Sequence, residues 1–148
     1  MTCITYRDGF LAADRRIGDW MTAKKIFPVG KVGWVTGAGF YDQLAEIATW
    51  IAEGSKPEQK PALPDDCSST IVMVDRQGGC FWLTWPYLRP VPVQEPFFAV
   101  GSGAEYALGA MAQGASAKEA VLIASRFDPA TGNGVDVVRV LQPKKEKK

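Results

Sequence analysis

The stretch MTCITYRDGFLAADRR, residues 1–16, decides how this chain begins to fold. Two β-rich runs, Thr2 to Tyr6 and Phe10 to Ala13, flank Arg7-Asp8-Gly9. Such a pattern predicts a hairpin, because Gly9 tolerates the positive φ that a tight turn requires. Two registers are open. A two-residue Asp-Gly turn sets Thr2 opposite Arg15, whereas a three-residue turn with Gly9 in the left-handed position sets it opposite Asp14. Either register brings Thr2 to within a residue of an acid.

Thr2 follows Met1 directly, so loss of Met1 would leave a residue carrying both a hydroxyl and a free α-amine. The chain has no histidine. Ser-His-Asp and Cys-His chemistry are therefore excluded, and an activated nucleophile needs another base, for which the α-amine is the obvious candidate. A lysine close behind, Lys25 in TAKKIF at residues 22–27, completes a set suited to chemistry without imidazole.

Composition narrows the remaining classes. With 148 residues and 47% hydrophobic content the chain fits one domain, residues 1–141, followed by a basic, flexible tail at 142–148. Cys3, Cys67 and Cys80 have neither metal-ligand spacing nor disulfide density, which suits a reducing cytoplasm. No metal or other cofactor is expected, since a transition-metal site without histidine needs Cys and carboxylate clusters. A net charge of +1 gives no nucleic-acid footprint, and no apolar run reaches membrane-spanning length.

Further along, a strand is expected around Thr22 to Phe27 and another from Val32 to Thr36, ending in Gly37-Ala38-Gly39. Phe40, Leu44, Ile47 and Ile51 recur at helical spacing, predicting a helix over 40–53. Pro57, Pro61 and Pro64 make 55–66 a loop. Thr70 to Val74 and Cys80 to Trp85 form a second hairpin, with Phe81, Leu83 and Trp85 as its buried face. Trp82 would then face the other way, and Tyr87 beyond it would sit on an exposed rim suited to a subunit interface. A strand at 97–100, a helix opened by Gly101-Ser102-Gly103, a third helix with a Ser116/Glu119 capping box and a strand at 135–141 complete an α+β order.

Four separated motifs then carry a resemblance. MTCI with LAADRR, AKKIF, VGSGAEYALGAM and FDPATGNGVDVV resemble the proteasome β-type peptidases, the group that includes the bacterial HslV peptidase. Asp14 and Arg16 match the family's Asp-x-Arg, and Lys25 its Lys-Ile-Phe. Ser102 matches its Gly-Ser-Gly, and Asp128, Thr131 and Gly132 its Asp-x-x-Ser-Gly. Two departures stand out: Gly18 replaces a threonine that contacts substrate backbone, and Thr131 replaces serine.

The resemblance implies a four-layer αββα sandwich of the amino-terminal nucleophile hydrolase type. It implies that Thr2 attacks a peptide carbonyl, with its own amine as base. Lys25 would support the alkoxide and Asp14 would orient Lys25. The Gly37 N–H, at a tight turn before the helix, would meet the oxyanion, and Ser102, Asp128 and Thr131 would surround the amine. It further implies a homo-oligomeric ring that cleaves unfolded polypeptide, fed by a separate ATPase unfoldase. A non-catalytic ring subunit and an amidase for small amides are the alternatives on the same fold.

Overall fold

The computed structural model describes residues 2–66 and 68–140. Its first hairpin joins β1 (Ile4–Arg7) to β2 (Phe10–Asp14), with Arg7 opposite Phe10 and Ile4 opposite Ala13. Asp8 and Gly9 both take positive φ, 52° and 79°, so the turn is the two-residue type whose twist matches the strands. Of the two registers open in the sequence, the structure takes the one that sets Thr2 level with Arg15.

Short strands β3 (Arg16–Ile17) and β4 (Met21–Thr22) pair with each other, and the chain then crosses to β5 (Phe27–Pro28) and β6 (Gly33–Ala38). The single strand expected over 22–27 is therefore divided. Lys25 and Ile26 are buried in succession, which breaks the alternation a continuous half-buried strand needs. Helix α1 (Tyr41–Ala52) buries Leu44, Ile47, Ala48 and Ile51, the i, i+3, i+4, i+7 face of the pattern.

The second half supplies β7 (Thr70–Asp75), β8 (Cys80–Thr84), β9 (Arg89–Pro92) and β10 (Phe97–Val100). Helices α2 (Ala104–Ala112) and α3 (Ala117–Phe127) and the strand β11 (Val135–Arg139) follow. The predicted capping box is present at α3, with Ser116 accepting from the Glu119 N–H. One sheet has the order β10-β1-β2-β11 and the other β5-β6-β7-β8-β9. The fold is mixed α+β.

Three apolar clusters hold these elements together, and the alternation along β1 and β2 explains them. Ile4, Tyr6, Leu11 and Ala13 point one way and meet Val72, Val74 and Cys80 of the five-stranded sheet. Cys3 and Ala12 point the other way, onto Ala107, Met111, Ala120 and Val121 of α2 and α3. On the far side of the larger sheet, Val35, Ile71 and Leu83 pack under α1.

The expected buried face of β8 is only partly realised. Leu83 is buried and Trp85 packs beside it, but Phe81, paired with Met73 and Pro92, falls outside that cluster and is half-buried. Trp82 faces the other way and, like Tyr87, is exposed, as expected. The basic tail and Cys67 lie outside the described residues. No described helix is long and apolar enough to cross a membrane.

Candidate active site

Strand register places the site. Continuing β1 back by two residues sets Thr2 between Arg15 on the β2 side and Ser102 on the β10 side, since Ile4 pairs with both Ala13 and Val100. Thr2 is thus pinned between two strands at one end of an inner strand. It is 2% exposed, and Asp14 and Lys25 beside it are 0% and 5% exposed.

The hydrogen bonds join these three directly. Lys25 Nζ donates to Thr2 Oγ1 at 2.6 Å and to Asp14 Oδ1 at 2.8 Å, and the Thr2 hydroxyl donates to the same Oδ1 at 2.5 Å. The Cys3 N–H also reaches Oδ1, while Arg16 and Gly132 N–H groups bind Oδ2. Five donors on one carboxylate fix its position. Lys25 is anchored through its backbone as well, because Thr36 Oγ1 donates to the Lys25 carbonyl at 2.8 Å.

A second group lies on the other side of Thr2. The Thr2 N–H donates to Ser102 Oγ at 3.1 Å, Ser102 Oγ donates to Asp128 Oδ2 at 2.6 Å, and Thr131 Oγ1 donates to the same oxygen at 2.6 Å. Of the three residues expected around the amine, only Ser102 is hydrogen-bonded to the Thr2 nitrogen, here a backbone N–H. Asp128 and Thr131 stand one bond further back.

Burial dominates the Lys25 ammonium and lowers its pKa, with the Asp14 hydrogen bond and charge opposing that shift. Burial works to raise the Asp128 carboxyl, but hydrogen bonds from Ser102, Thr131 and the Ala130 N–H outweigh it and leave the pKa lowered. Asp128 is therefore a carboxylate at neutral pH, able to hold the Ser102 hydroxyl as a donor toward it. The neighbouring Cys3 thiol is pushed up to about 12 by burial and by Asp14 and Asp128, so it is no rival nucleophile.

Gly37 is not at the tight turn where it was expected; it lies inside β6. A Cβ there would stand 2.0 Å from the Thr70 carbonyl oxygen and 2.9 Å from Leu44 Cδ2, so close packing against β7 and α1 demands glycine. Backbone direction alternates along a strand, and the Gly33 carbonyl is bonded by the Val29 N–H on the β5 side. Four residues on, Gly37 directs its N–H to that same side. Because β5 is only two residues long, this N–H opens past the strand's end, beside Lys25. Gly37→Ala is expected to destabilise the fold by about 1–3 kcal/mol, read as a lowered urea midpoint, because β6 and β7 must part to admit the methyl.

Thr2, Lys25 and Gly37 all line one cleft of about 420 Å³, whose other walls include Ile17, Tyr41 and Leu44. Thr2 lies on the wall of that cleft together with Lys25.

No family model matches the sequence, and no curated protein matches it. The chain superposes on Thiobacillus denitrificans BPH in complex with epoxomicin with a TM-score of 0.64 at 20% identity, covering 95% of this chain and 99% of that one. A second structure of Thiobacillus denitrificans BPH gives 0.62 at 21% identity, with 96% and 99% covered. The fold is that of BPH, a proteasome homologue. At such identity the likeness to BPH speaks for the backbone, and residue roles rest on this chain's own geometry. Within the BPH fold, Thr36 and the cleft residue Tyr41 are contributors that the sequence did not single out. Thr36 had a legible signal, a strand hydroxyl next to a glycine, but its partner is a backbone carbonyl that only the fold brings near.

Proposed function

We propose that the chain is a threonine-type peptidase whose nucleophile is Thr2 once Met1 has been removed. The observation that carries this reading is the buried contact of Lys25 Nζ with both Thr2 Oγ1 and Asp14, at 2.6 and 2.8 Å, on the wall of an open cleft. With Met1 gone, the Thr2 nitrogen is an amine beside Ser102. A free α-amine has a pKa of about 8, and the nearby Lys25 ammonium lowers it, which favours the neutral base.

In this mechanism the amine takes the hydroxyl proton, directly or through a water, and the Thr2 oxygen attacks a substrate carbonyl. Lys25 steadies the alkoxide, and the Gly37 N–H meets the charge that develops on the carbonyl oxygen. The amine returns its proton to the leaving nitrogen, so the peptide bond breaks and an ester to Thr2 remains. Water then hydrolyses the ester. Asp14 keeps Lys25 charged and aimed, while Asp128 and Thr131 fix Ser102 against the amine.

The three separate core clusters support a four-layer αββα sandwich, with α2 and α3 outside one sheet and α1 outside the other. By the same reading the subunits assemble as a homo-oligomeric ring in the cytoplasm, enclosing a chamber where unfolded polypeptide is cut. A separate ATPase unfoldase would feed it.

BPH has been observed with epoxomicin, and the same compound tests this chain. Intact mass should show the loss of one methionyl residue and, after incubation, the addition of one epoxomicin per chain. Retained Met1 with no adduct would sink the peptidase and leave a non-catalytic ring subunit.

A further inference from the structure

The peptidase reading, on which this inference rests, puts a peptide in the cleft beside Thr2, and the sides of that cleft are held in two different ways. Leu44, on the side supplied by β6 and α1, belongs to a buried apolar cluster with Val35, Ile47 and Ile71. Packing fixes that side. The other side comes from the β3–β4 hairpin, whose Arg16, Ile17 and Gly18 line the cleft. None of residues 16–22 is buried, and β3 and β4 form a two-stranded sheet of their own. With so little apolar burial, hydrogen bonds decide how firmly this hairpin stands.

At its base the Arg16 N–H donates to Asp14 Oδ2 at 3.2 Å, the Arg16 guanidinium donates to the Pro129 carbonyl, and the Ala23 N–H donates to the Arg15 carbonyl at 2.8 Å. Its far end is held from another part of the chain. Asn133 Nδ2 donates to the Trp20 carbonyl at 3.3 Å and to the Met21 carbonyl at 3.0 Å. Carbonyl oxygens only accept, so an amide nitrogen with two N–H groups suits this pair, whereas a carboxylate would repel it.

The base of this clamp is itself fixed. Gly132, one residue before Asn133, donates its N–H to Asp14 Oδ2 at 3.1 Å and accepts from the Arg15 N–H at 3.0 Å, and Thr131 before it is 2% exposed. Asp14 also binds Lys25, so the hairpin and the lysine share one anchor. Asn133 has a φ of 63°, in the left-handed region that asparagine enters more readily than most residues.

We propose that Asn133 is a positioning residue for substrate binding: its amide clamps the far end of the β3–β4 hairpin, so that a peptide entering the cleft meets a wall already in place. Without the clamp, each bound peptide has to order the hairpin, which weakens binding and leaves the attack by Thr2 unchanged.

Two variants of the full chain keep the backbone conformation and remove the clamp. Asn133→Gly deletes the amide at a φ that glycine adopts freely, and Asn133→Asp keeps the shape while turning oxygen toward the two carbonyls. Each is compared with the parent in hydrolysis of a fluorogenic peptide, in the rate of epoxomicin labelling and in backbone hydrogen exchange read by mass spectrometry. At about a factor of 5 for each hydrogen bond lost, KM should rise roughly 5–30-fold in Asn133→Gly and further in Asn133→Asp, with kcat within about 2-fold of the parent. The labelling rate at low epoxomicin should fall by the same factor as KM rises. Exchange should quicken in residues 16–22 and stay unchanged in β1 and β2.

A parental KM in both variants would overturn the proposal. So would a loss of kcat at constant KM, because Asn133 would then act on the chemistry through Gly132 and Asp14. Unchanged exchange over 16–22 would overturn it as well, since the hairpin would stand without the amide. A parent that cleaves no peptide and takes no epoxomicin is a different failure: the peptidase reading falls, the substrate role of Asn133 falls with it, and exchange alone decides whether the amide holds the hairpin.

Discussion

Asp14→Ala should destabilise the protein by about 3–5 kcal/mol, the usual range when one partner of a buried ion pair is deleted. The mutation leaves the Lys25 ammonium buried, with the Thr2 hydroxyl as its one remaining acceptor among the described residues, and it orphans the Cys3, Arg16 and Gly132 N–H groups that the carboxylate had satisfied. Urea unfolding would measure the loss. Removing both charges as Asp14→Leu with Lys25→Met should recover part of that stability, because an apolar pair needs no desolvation of charge. It should recover no turnover. If the single variant unfolds at the parent midpoint, the pair is not the buried anchor described above.

Thr2→Ala separates chemistry from folding in the opposite sense. Hydrolysis of peptides should fall by about 10⁴-fold or more, the scale seen when a nucleophile is deleted. The fold should lose only about 1–3 kcal/mol, because Lys25 and Asp14 remain paired at 2.8 Å while the two hydrogen bonds of the Thr2 hydroxyl disappear. Steady-state hydrolysis of a fluorogenic peptide and urea unfolding on the same preparation give both numbers. A Thr2→Ala protein as active as the parent would mean that the nucleophile is elsewhere.

Much of this site was legible in the sequence because its geometry is local. The Asp8-Gly9 turn brings Asp14 to the start of the chain, and one hairpin needs only turn chemistry and alternation to be read. The choice between its registers was not legible. It depends on Asp8 as well as Gly9 adopting positive φ, which Asp tolerates without announcing. Lys25 was misplaced onto a continuous strand for a related reason: the chain leaves one sheet and enters another there, and a run of consecutive buried residues looks the same in either case.

Ser102 and Asp128 are a different matter, since they lie 100 and more residues from Thr2. Only a resemblance to known motifs placed them, because no local rule pairs β1 with β10. Gly37 shows the limit most clearly. Its residue type suggested a turn, whereas what demands glycine is the Thr70 carbonyl across the ladder, a contact invisible until β6 and β7 are in register.

The strand β9 carries a last consequence. Val91 and Arg89 are the residues that bond inward, opposite Trp82 and Thr84, as the Val93 N–H does to the Cys80 carbonyl. The alternate positions, which turn toward open solvent, are Pro90 and Pro92. Neither has an N–H, so this rim offers carbonyl acceptors without a single alternating donor, and another strand laid along it would find half of its ladder missing. Any second chain that met this edge would have to do so through side chains such as Trp82 and Val91, and a partly unfolded neighbour could not extend the sheet from that side.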